Sequence, residues 1–173
     1  MKPILFLDID GVLSTFNEYY RNRKKFWDKY EFANEVRLPY EFNPGCVKVL
    51  NEILSKTDAD IVLTSDWRIH YSLQTLDNIF KFNKIVKSPI DVTEVVPTSM
   101  SYLEKNRGHE IDIYIKNHSI DRYVIIDDLD LSDFVDKDRF VRTIEREGLK
   151  QSNIKQKILN ILQNEQKQEN PSY

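Results

Sequence analysis

Three short apolar runs, far apart along the chain, each stop abruptly at acidic or hydroxyl residues. The runs are Pro3–Ile9, Ala59–Leu63 and Tyr123–Ile126. The polar clusters at their ends are Asp8-Ile9-Asp10, Thr64-Ser65-Asp66 and Asp127-Asp128. A short run that is apolar on both faces is typical of a strand buried in a parallel sheet with both sides covered. This pattern constrains the fold more than any other feature of the chain.

Helical patterns separate these runs. Asn43-Pro44-Gly45 is typical of a helix start, with Asn43 as the cap and Pro44 in the first turn. Further helices are predicted over Ser72–Phe80, Gly108–His118 and Ser152–Leu162. Short strands are predicted over Lys84–Val86 and Phe140–Thr143, while residues 89–100 fit a loop or a short strand. Strands that alternate with helices predict an α/β fold with a central parallel sheet.

A length of 173 residues fits a single domain. We assign residues 1–162 to that domain and expect residues 163–173 to form a flexible polar tail. Residues 14–42 differ in composition from the residues after them, being aromatic, charged and irregular. We interpret them as an insertion or a minimal cap, because they are too few for a full cap domain.

Composition excludes several classes of protein. A net charge of −3 argues against strong non-specific binding of nucleic acid. The single cysteine, Cys46, excludes an internal disulfide and a cysteine-based zinc site. Asp8 and Asp10 interrupt the first apolar run too early for a secretory signal, and no apolar run is long enough to span a membrane. We therefore expect a cytoplasmic protein without a membrane partner; its oligomeric state is left open.

The polar clusters should meet in space. In open parallel sheets, ligands bind beyond the carboxyl ends of the strands. The sequence thus predicts that Asp8, Asp10, Thr64, Asp127 and Asp128 share one edge of the sheet. Carboxylates brought together repel, and Mg²⁺, which prefers oxygen ligands, would stabilise them. The plainer alternative, that the first two aspartates only begin a turn, does not explain why the other runs end in the same way.

These residues resemble a known family. Asp8-Ile9-Asp10-Gly11-Val12-Leu13 is similar to the first motif of the haloacid dehalogenase (HAD) superfamily. Thr64, with Ser65 as a substitute, resembles the second motif, and Asp127-Asp128 resembles the fourth. The third motif is a Lys or an Arg, for which Lys105 and Arg107 both qualify.

Arg107 is favoured for the third motif because its surroundings resemble one subgroup of the superfamily. The segments Val62–Arg68 and Arg107–Ile111 are similar to the small phosphatase-like domains that accompany RNA-repair enzymes. The resemblance implies a three-layer Rossmann-like core around a parallel sheet.

The resemblance also implies a mechanism and its residues. Asp8 would attack phosphorus to form an aspartyl-phosphate, and Asp10 would serve as general acid and base. Mg²⁺ would be held by Asp8, by Asp127 or Asp128, and by the backbone carbonyl of Asp10. Thr64 and Arg107 would stabilise the phosphoryl oxygens.

Three further residues are candidates for substrate binding. They are Ser65, Arg68 and Lys105. An arginine fork suits a phosphate, but Arg68 could equally pair with a carboxylate on the surface. Trp67, next to it, is expected to pack rather than to stack on substrate.

The substrate is expected to be a phosphorylated small molecule or a nucleic-acid end. Within residues 14–42, aromatic side chains interleave with Arg21, Arg23, Lys24 and Lys25, a pattern that fits single-stranded nucleic acid. The same pattern fits an amphipathic helix with a solvated basic face. Two other functions stay open: a phosphotransferase or mutase with the same intermediate, and a metal- and phosphate-binding module that acts through partners without turnover.

Overall fold

The computed structural model describes residues 2–15, 41–96 and 103–169 of the chain. Its five strands are β1 (Ile4–Leu7), β2 (Asp60–Leu63), β3 (Pro89–Val92), β4 (Tyr123–Asp127) and β5 (Phe140–Arg142). Its helices are α1 (Pro44–Thr57), α2 (Trp67–His70), α3 (Leu73–Phe82), α4 (Leu103–His118) and α5 (Ile154–Glu169), with two short 3₁₀ turns at Lys137–Arg139 and Gly148–Lys150. Nearly all of the predicted insertion at 14–42 lies outside the described residues, and so does its interpretation as a cap.

The strands form one parallel sheet in the order β3-β2-β1-β4-β5. Parallel neighbours need long crossover connections, which helices provide here in the way the alternating pattern requires. The predicted α/β fold with a central parallel sheet is therefore confirmed. No helix in the described ranges is long and apolar enough to cross a bilayer.

The two faces of the sheet bury two separate cores. Along β1, Leu5 and Leu7 join one core, while Ile4 and Phe6 join the other. Helices α1, α3 and α5 cover the first face with Leu50, Leu76, Ile79 and Ile158, among others. Helix α4 covers the second face with Ile111 and Tyr114. Because side chains alternate between the faces of a strand, a sheet covered on both sides needs the continuous apolar runs seen in the sequence.

The strand register places the polar clusters side by side. Leu7 pairs with Leu63 on one side and with Ile126 on the other. The next residue of each strand is therefore Asp8, Thr64 or Asp127. The backbone N–H of Asp8 donates to the carbonyl of Ile126 at 3.0 Å, and that of Thr64 donates to Leu7 at 3.0 Å. Three segments that are distant in sequence thus end at one edge of the sheet.

Helix α1 begins as its sequence predicts. The Asn43 side chain accepts hydrogen bonds from the backbone N–H groups of Gly45, at 2.9 Å, and Cys46, at 3.3 Å. These donors have no partner within the helix, so the cap satisfies them. Pro44 occupies the first helical position, where its missing N–H costs nothing.

Other boundaries differ from the prediction. The strand predicted at Lys84–Val86 is wrong: Lys84 adopts a positive φ of 59° there, and the edge strand is β3, five residues further on in the ambiguous segment. An edge strand with a proline and only one buried residue gives a weak signal. Helix α4 begins before Gly108, and α5 continues past Leu162. The short helix α2 was not predicted.

Candidate active site

Three carboxylates meet where β1 and β4 end. Asp8, Asp127 and Asp128, which we call the acidic triad, each offer one oxygen atom, and these atoms lie within 4.8 Å of one another. Asp8 and Asp127 are buried, and Asp128 is half-buried. A compact set of carboxylate oxygens is what a hard divalent cation such as Mg²⁺ uses in proteins.

The charges of the acidic triad are poorly compensated. Burial raises the pKa of Asp8 well above its usual value, Asp127 raises it further, and Arg107 opposes both. Burial also raises the pKa of Asp127, again against Arg107. Burial together with Asp127 and Glu145 raises the pKa of Asp128 to about 6. Among the described residues, Arg107 is the guanidinium that pairs with the carboxylates of the acidic triad, and Arg142 reaches only the backbone carbonyl of Asp128. Since one such charge does not balance three carboxylates, the residues fit a divalent cation.

Arg107 lies at the centre of this arrangement. Its Nη1 atom is 3.1 Å from Asp8 Oδ1 and 3.0 Å from Asp127 Oδ2, while Nη2 donates to Asp66 Oδ1 at 2.8 Å. Burial alone would lower the pKa of Arg107, but Asp8 and Asp127 raise it above its ordinary value, so the side chain stays charged. Lys105 is on the same helix, and its side chain falls outside the described part of the chain.

The hydroxyl of Thr64 is buried and has no hydrogen-bond partner in the described structure. Leaving such a group unpaired is costly, which is unusual for a structural threonine. Ser65, next to it, is buried as well. The register of β1 and β2 puts this unpaired donor beside Asp8, where a ligand oxygen could accept from it.

The Asp10 side chain is not part of the acidic triad. The sequence analysis assigned the metal contact to the backbone carbonyl of Asp10 rather than to its carboxylate, and that contact stays a prediction. The Asp10 side chain is solvent-exposed, and Trp67 Nε1 donates to its Oδ2 atom at 2.7 Å. Neighbouring atoms nevertheless remove part of the solvent around the carboxyl group. This partial desolvation raises the pKa of Asp10, and the Trp67 hydrogen bond opposes that rise. Trp67 does pack against aromatic neighbours, as expected, but the contact with Asp10 was missed.

Arg68 has its direct partners outside the acidic triad, and one of them is Asp66, whose Oδ1 atom lies 3.6 Å from Arg68 Nη1. Its guanidinium forms an ion pair with Glu110, donates to the carbonyl of Thr64 and, through Nε, donates to the carbonyl of Thr93 at 3.0 Å. Only 2% of the side chain is exposed. Of the two uses that the sequence suggested, the geometry favours pairing with a carboxylate, although that carboxylate is buried rather than on the surface. Its role in binding substrate stays a prediction that this geometry does not support.

Gly11 brings the loop after β1 directly against the acidic triad. Its φ of +71° favours glycine, and a Cβ atom would lie 2.3 Å from Asp128 Oδ2. The Thr143 hydroxyl donates to the Gly11 carbonyl at 2.9 Å and fixes the loop. The glycine of the first motif is therefore needed for both conformation and space. Asp66, which the sequence analysis left out of the candidate site, joins it through Arg107.

Comparison with known families agrees with this arrangement. A family model described as the HAD domain in Swiss Army Knife RNA repair proteins matches residues 4–154. That range contains every candidate site residue named above. No curated protein and no solved structure matched the chain. The family match confirms the resemblance inferred from the four motifs.

Proposed function

The chain belongs to the family of HAD domains found in Swiss Army Knife RNA repair proteins, and on that premise we propose that it is a Mg²⁺-dependent phosphomonoesterase that works through an aspartyl-phosphate. The observation that carries the proposal is the meeting of the acidic triad with Arg107 beside the unpaired Thr64 hydroxyl. This set combines a carboxylate nucleophile with donors for phosphoryl oxygens, as phosphoryl transfer requires.

In the first step, an oxygen of the Asp8 carboxylate attacks the phosphorus atom of the substrate. The bond between phosphorus and the leaving oxygen breaks, and that oxygen takes the proton from Asp10. Arg107, 3.1 Å from Asp8 Oδ1, stabilises the ionised nucleophile and holds it in place. Asp10 suits the role of the acid because it follows Asp8 by two residues and is exposed to solvent.

In the second step, the Asp10 carboxylate removes a proton from a water molecule, and the water oxygen attacks the same phosphorus. Inorganic phosphate leaves, the Asp8 carboxylate is restored and Asp10 is again protonated. One residue therefore works as acid and then as base. Its exposure allows both a leaving group and a water molecule to reach it in turn.

The phosphoryl oxygens need donors throughout the reaction. The Thr64 hydroxyl, unpaired in the described structure, and the Arg107 guanidinium would supply them. Asp8, Asp127 and Asp128 would hold Mg²⁺, which supplies positive charge to the same oxygens when bound.

For the substrate, we propose a nucleic-acid end or a small phosphate ester. The name of the matching family, which refers to RNA repair, supports the first of these. Phosphotransfer to a second acceptor and ligand binding without turnover are the competing functions. Both predict that phosphate is not released into solution.

A phosphate-release screen tests the proposal. p-Nitrophenyl phosphate, phosphorylated metabolites and oligonucleotides with 3′- or 5′-phosphates are compared with Mg²⁺ and with EDTA. We expect Mg²⁺-dependent release from at least one class and none from the isosteric Asp8→Asn variant. Release by Asp8→Asn at the wild-type rate would refute the covalent mechanism, and binding of phosphate without release from any substrate would favour the non-enzymatic module.

A further inference from the structure

Residues 66–68, shortly after the end of β2, each have a different partner. Asp66 accepts from Arg107, Trp67 donates to Asp10 and Arg68 pairs with Glu110. The first and third contacts concern charge, but the second joins a neutral donor to the proposed acid and base. Resting on the proposed function, we propose that Trp67 is a positioning residue that orients the Asp10 carboxyl group for proton transfer.

The indole can hold only one of the two carboxyl oxygens. Trp67 Nε1 lies 2.7 Å from Asp10 Oδ2, a good hydrogen-bond distance. Because the indole nitrogen is a donor and never an acceptor, Oδ2 must accept. A carbonyl oxygen is a better acceptor than a hydroxyl oxygen, so this contact favours the proton of Asp10 on Oδ1. Trp67 therefore determines which oxygen of Asp10 faces the leaving group with its proton.

Asp10 needs such a partner because it is exposed at the end of a strand. The last torsion of an aspartate side chain has a broad, roughly two-fold preference, so an exposed carboxyl group rotates easily. A hydrogen bond to a fixed donor removes that freedom. Proton transfer requires the acid within hydrogen-bond reach of the leaving oxygen, so the orientation affects the rate.

Trp67 is well fixed for this purpose. Its ring packs against Phe42, with centroids 6.0 Å apart, and against Tyr71, with centroids 5.6 Å apart. Its backbone carbonyl accepts from the N–H of Tyr71 at 2.9 Å. The neighbouring side chains of Asp66 and Arg68 are tied to α4, through Arg107 and Glu110. The indole is thus the rigid member of the pair, and Asp10 is the member that it orients.

A merely structural hydrogen bond would have a different kinetic signature. p-Nitrophenolate leaves without a proton, whereas the alkoxide of an alkyl phosphate needs one. Loss of a well-placed acid should therefore slow alkyl phosphates and spare p-nitrophenyl phosphate. Loss of structure alone should slow both equally. The value of kcat/KM reports only steps up to the formation of the aspartyl-phosphate, so the later use of Asp10 as a base does not enter.

The test compares wild-type chain, Trp67→Phe and Tyr71→Leu with both esters, in the presence of Mg²⁺. Tyr71→Leu is the matched control, since it removes one ring that packs on Trp67, while the contact of the indole with Phe42 and its hydrogen bond to Asp10 remain. For Trp67→Phe we expect kcat/KM to fall about tenfold or more with glycerol phosphate, a part of the roughly 10²–10⁴-fold effect of general acids. With p-nitrophenyl phosphate the fall should stay below about threefold, and Tyr71→Leu should change the ratio of the two values little.

Equal losses for both esters in Trp67→Phe, or no loss for either, would overturn the positioning role while leaving the phosphatase intact. A wild-type chain that releases phosphate from no substrate of the phosphate-release screen, oligonucleotides included, would instead overturn the proposed function and, with it, this inference. Should Trp67→Phe fail to fold, NMR of the ¹⁵N-labelled chain provides the second test. The Trp67 indole N–H signal, assigned with Trp27→Phe, should move in Asp10→Ala; an unchanged signal would refute the contact.

Discussion

Arg107 and Arg68 are both buried arginines near the carboxyl edge of the sheet, and the sequence assigned both to the substrate phosphate. The structure gives them different surroundings. Both lie near Asp66 Oδ1, Arg107 at 2.8 Å and Arg68 at 3.6 Å. Beyond that shared carboxylate, Arg107 contacts Asp8 and Asp127, whereas Arg68 contacts Glu110 and the backbone carbonyls of Thr64 and Thr93. The first guanidinium lies among carboxylates that the proposed reaction uses, and the second joins α4 to the ends of β2 and β3. The partners, rather than the residue type, are therefore the reason why we propose a catalytic role for Arg107 and a structural one for Arg68.

The largest expected effect is at Arg107. Arg107→Met should lower kcat/KM about 10²–10³-fold, the cost of removing a preorganised donor from the developing charge. Arg107→Lys should recover only part of the activity, because an ammonium group lacks the planar fork that reaches Asp8 and Asp66 together. Phosphate release with p-nitrophenyl phosphate measures both. If kcat/KM of folded Arg107→Met falls by less than about threefold, Arg107 does not have the proposed catalytic role.

Arg68→Met should act on stability instead. It leaves the Glu110 carboxylate buried without its partner, for which we expect a loss of about 3–5 kcal/mol in the free energy of unfolding. The double variant Arg68→Met/Glu110→Leu removes both charges. It should regain much of the lost free energy of unfolding, since a buried ion pair often contributes little net stability. Urea denaturation measures this.

In the same variants, kcat/KM of the folded protein should stay within about threefold of the wild-type value, since the direct partners of the Arg68 side chain lie outside the acidic triad. A large rise in KM without a loss of stability would instead show that Arg68 binds substrate, as the sequence suggested. The two arginines would then differ less than their contacts indicate.

The acidic triad should make stability depend on Mg²⁺. At about 100 times the dissociation constant, bound Mg²⁺ adds about 2.7 kcal/mol to the free energy of unfolding. Asp128→Asn should weaken that gain and, in EDTA, should be more stable than the wild-type chain, because it relieves repulsion from Asp127. Thermal unfolding with Mg²⁺ and with EDTA checks both. A variant that is less stable in EDTA and equally stabilised by Mg²⁺ would contradict a shared cation site.

The smallest effect is expected at Thr64. Thr64→Val removes one neutral donor, so kcat/KM should fall about tenfold, the upper end of what a single neutral hydrogen bond contributes. The free energy of unfolding should not fall, because the hydroxyl has no partner in the described structure. Urea denaturation and phosphate release are measured on the same sample. A destabilised variant with full activity would show that the hydroxyl has a structural role.

The sequence was sufficient to predict the meeting of Asp8, Thr64 and Asp127, because strand ends in a parallel sheet share one edge. It predicted the start of α1 for a similar reason: the cap is a local contact between Asn43 and the N–H groups of Gly45 and Cys46. Features that depend on neighbouring residues or on the shared edge of parallel strands can therefore be predicted from the sequence.

The remaining contacts depend on side-chain direction across the fold. Nothing local to Trp67 indicates that its indole reaches Asp10, or that Arg68 turns to Glu110 on α4. Edge strand β3 was ambiguous because it pairs on one side only and carries Pro89 and Asp91. The position of Asp66 in the polar cluster after β2 is the one local sign that this segment takes part in the site.

The most direct test of the account is whether phosphate becomes attached to Asp8. In the Asp10→Asn variant, the carboxylate that activates water is absent, so the aspartyl-phosphate should accumulate with p-nitrophenyl phosphate and Mg²⁺. Mass spectrometry of the acid-quenched, digested protein should find one phosphoryl group on the peptide that contains Asp8, removable with hydroxylamine. Suppose that the wild-type chain turns over substrate but the Asp10→Asn variant carries no phosphoryl group on that peptide, or carries it on another residue. Either result would contradict the covalent mechanism.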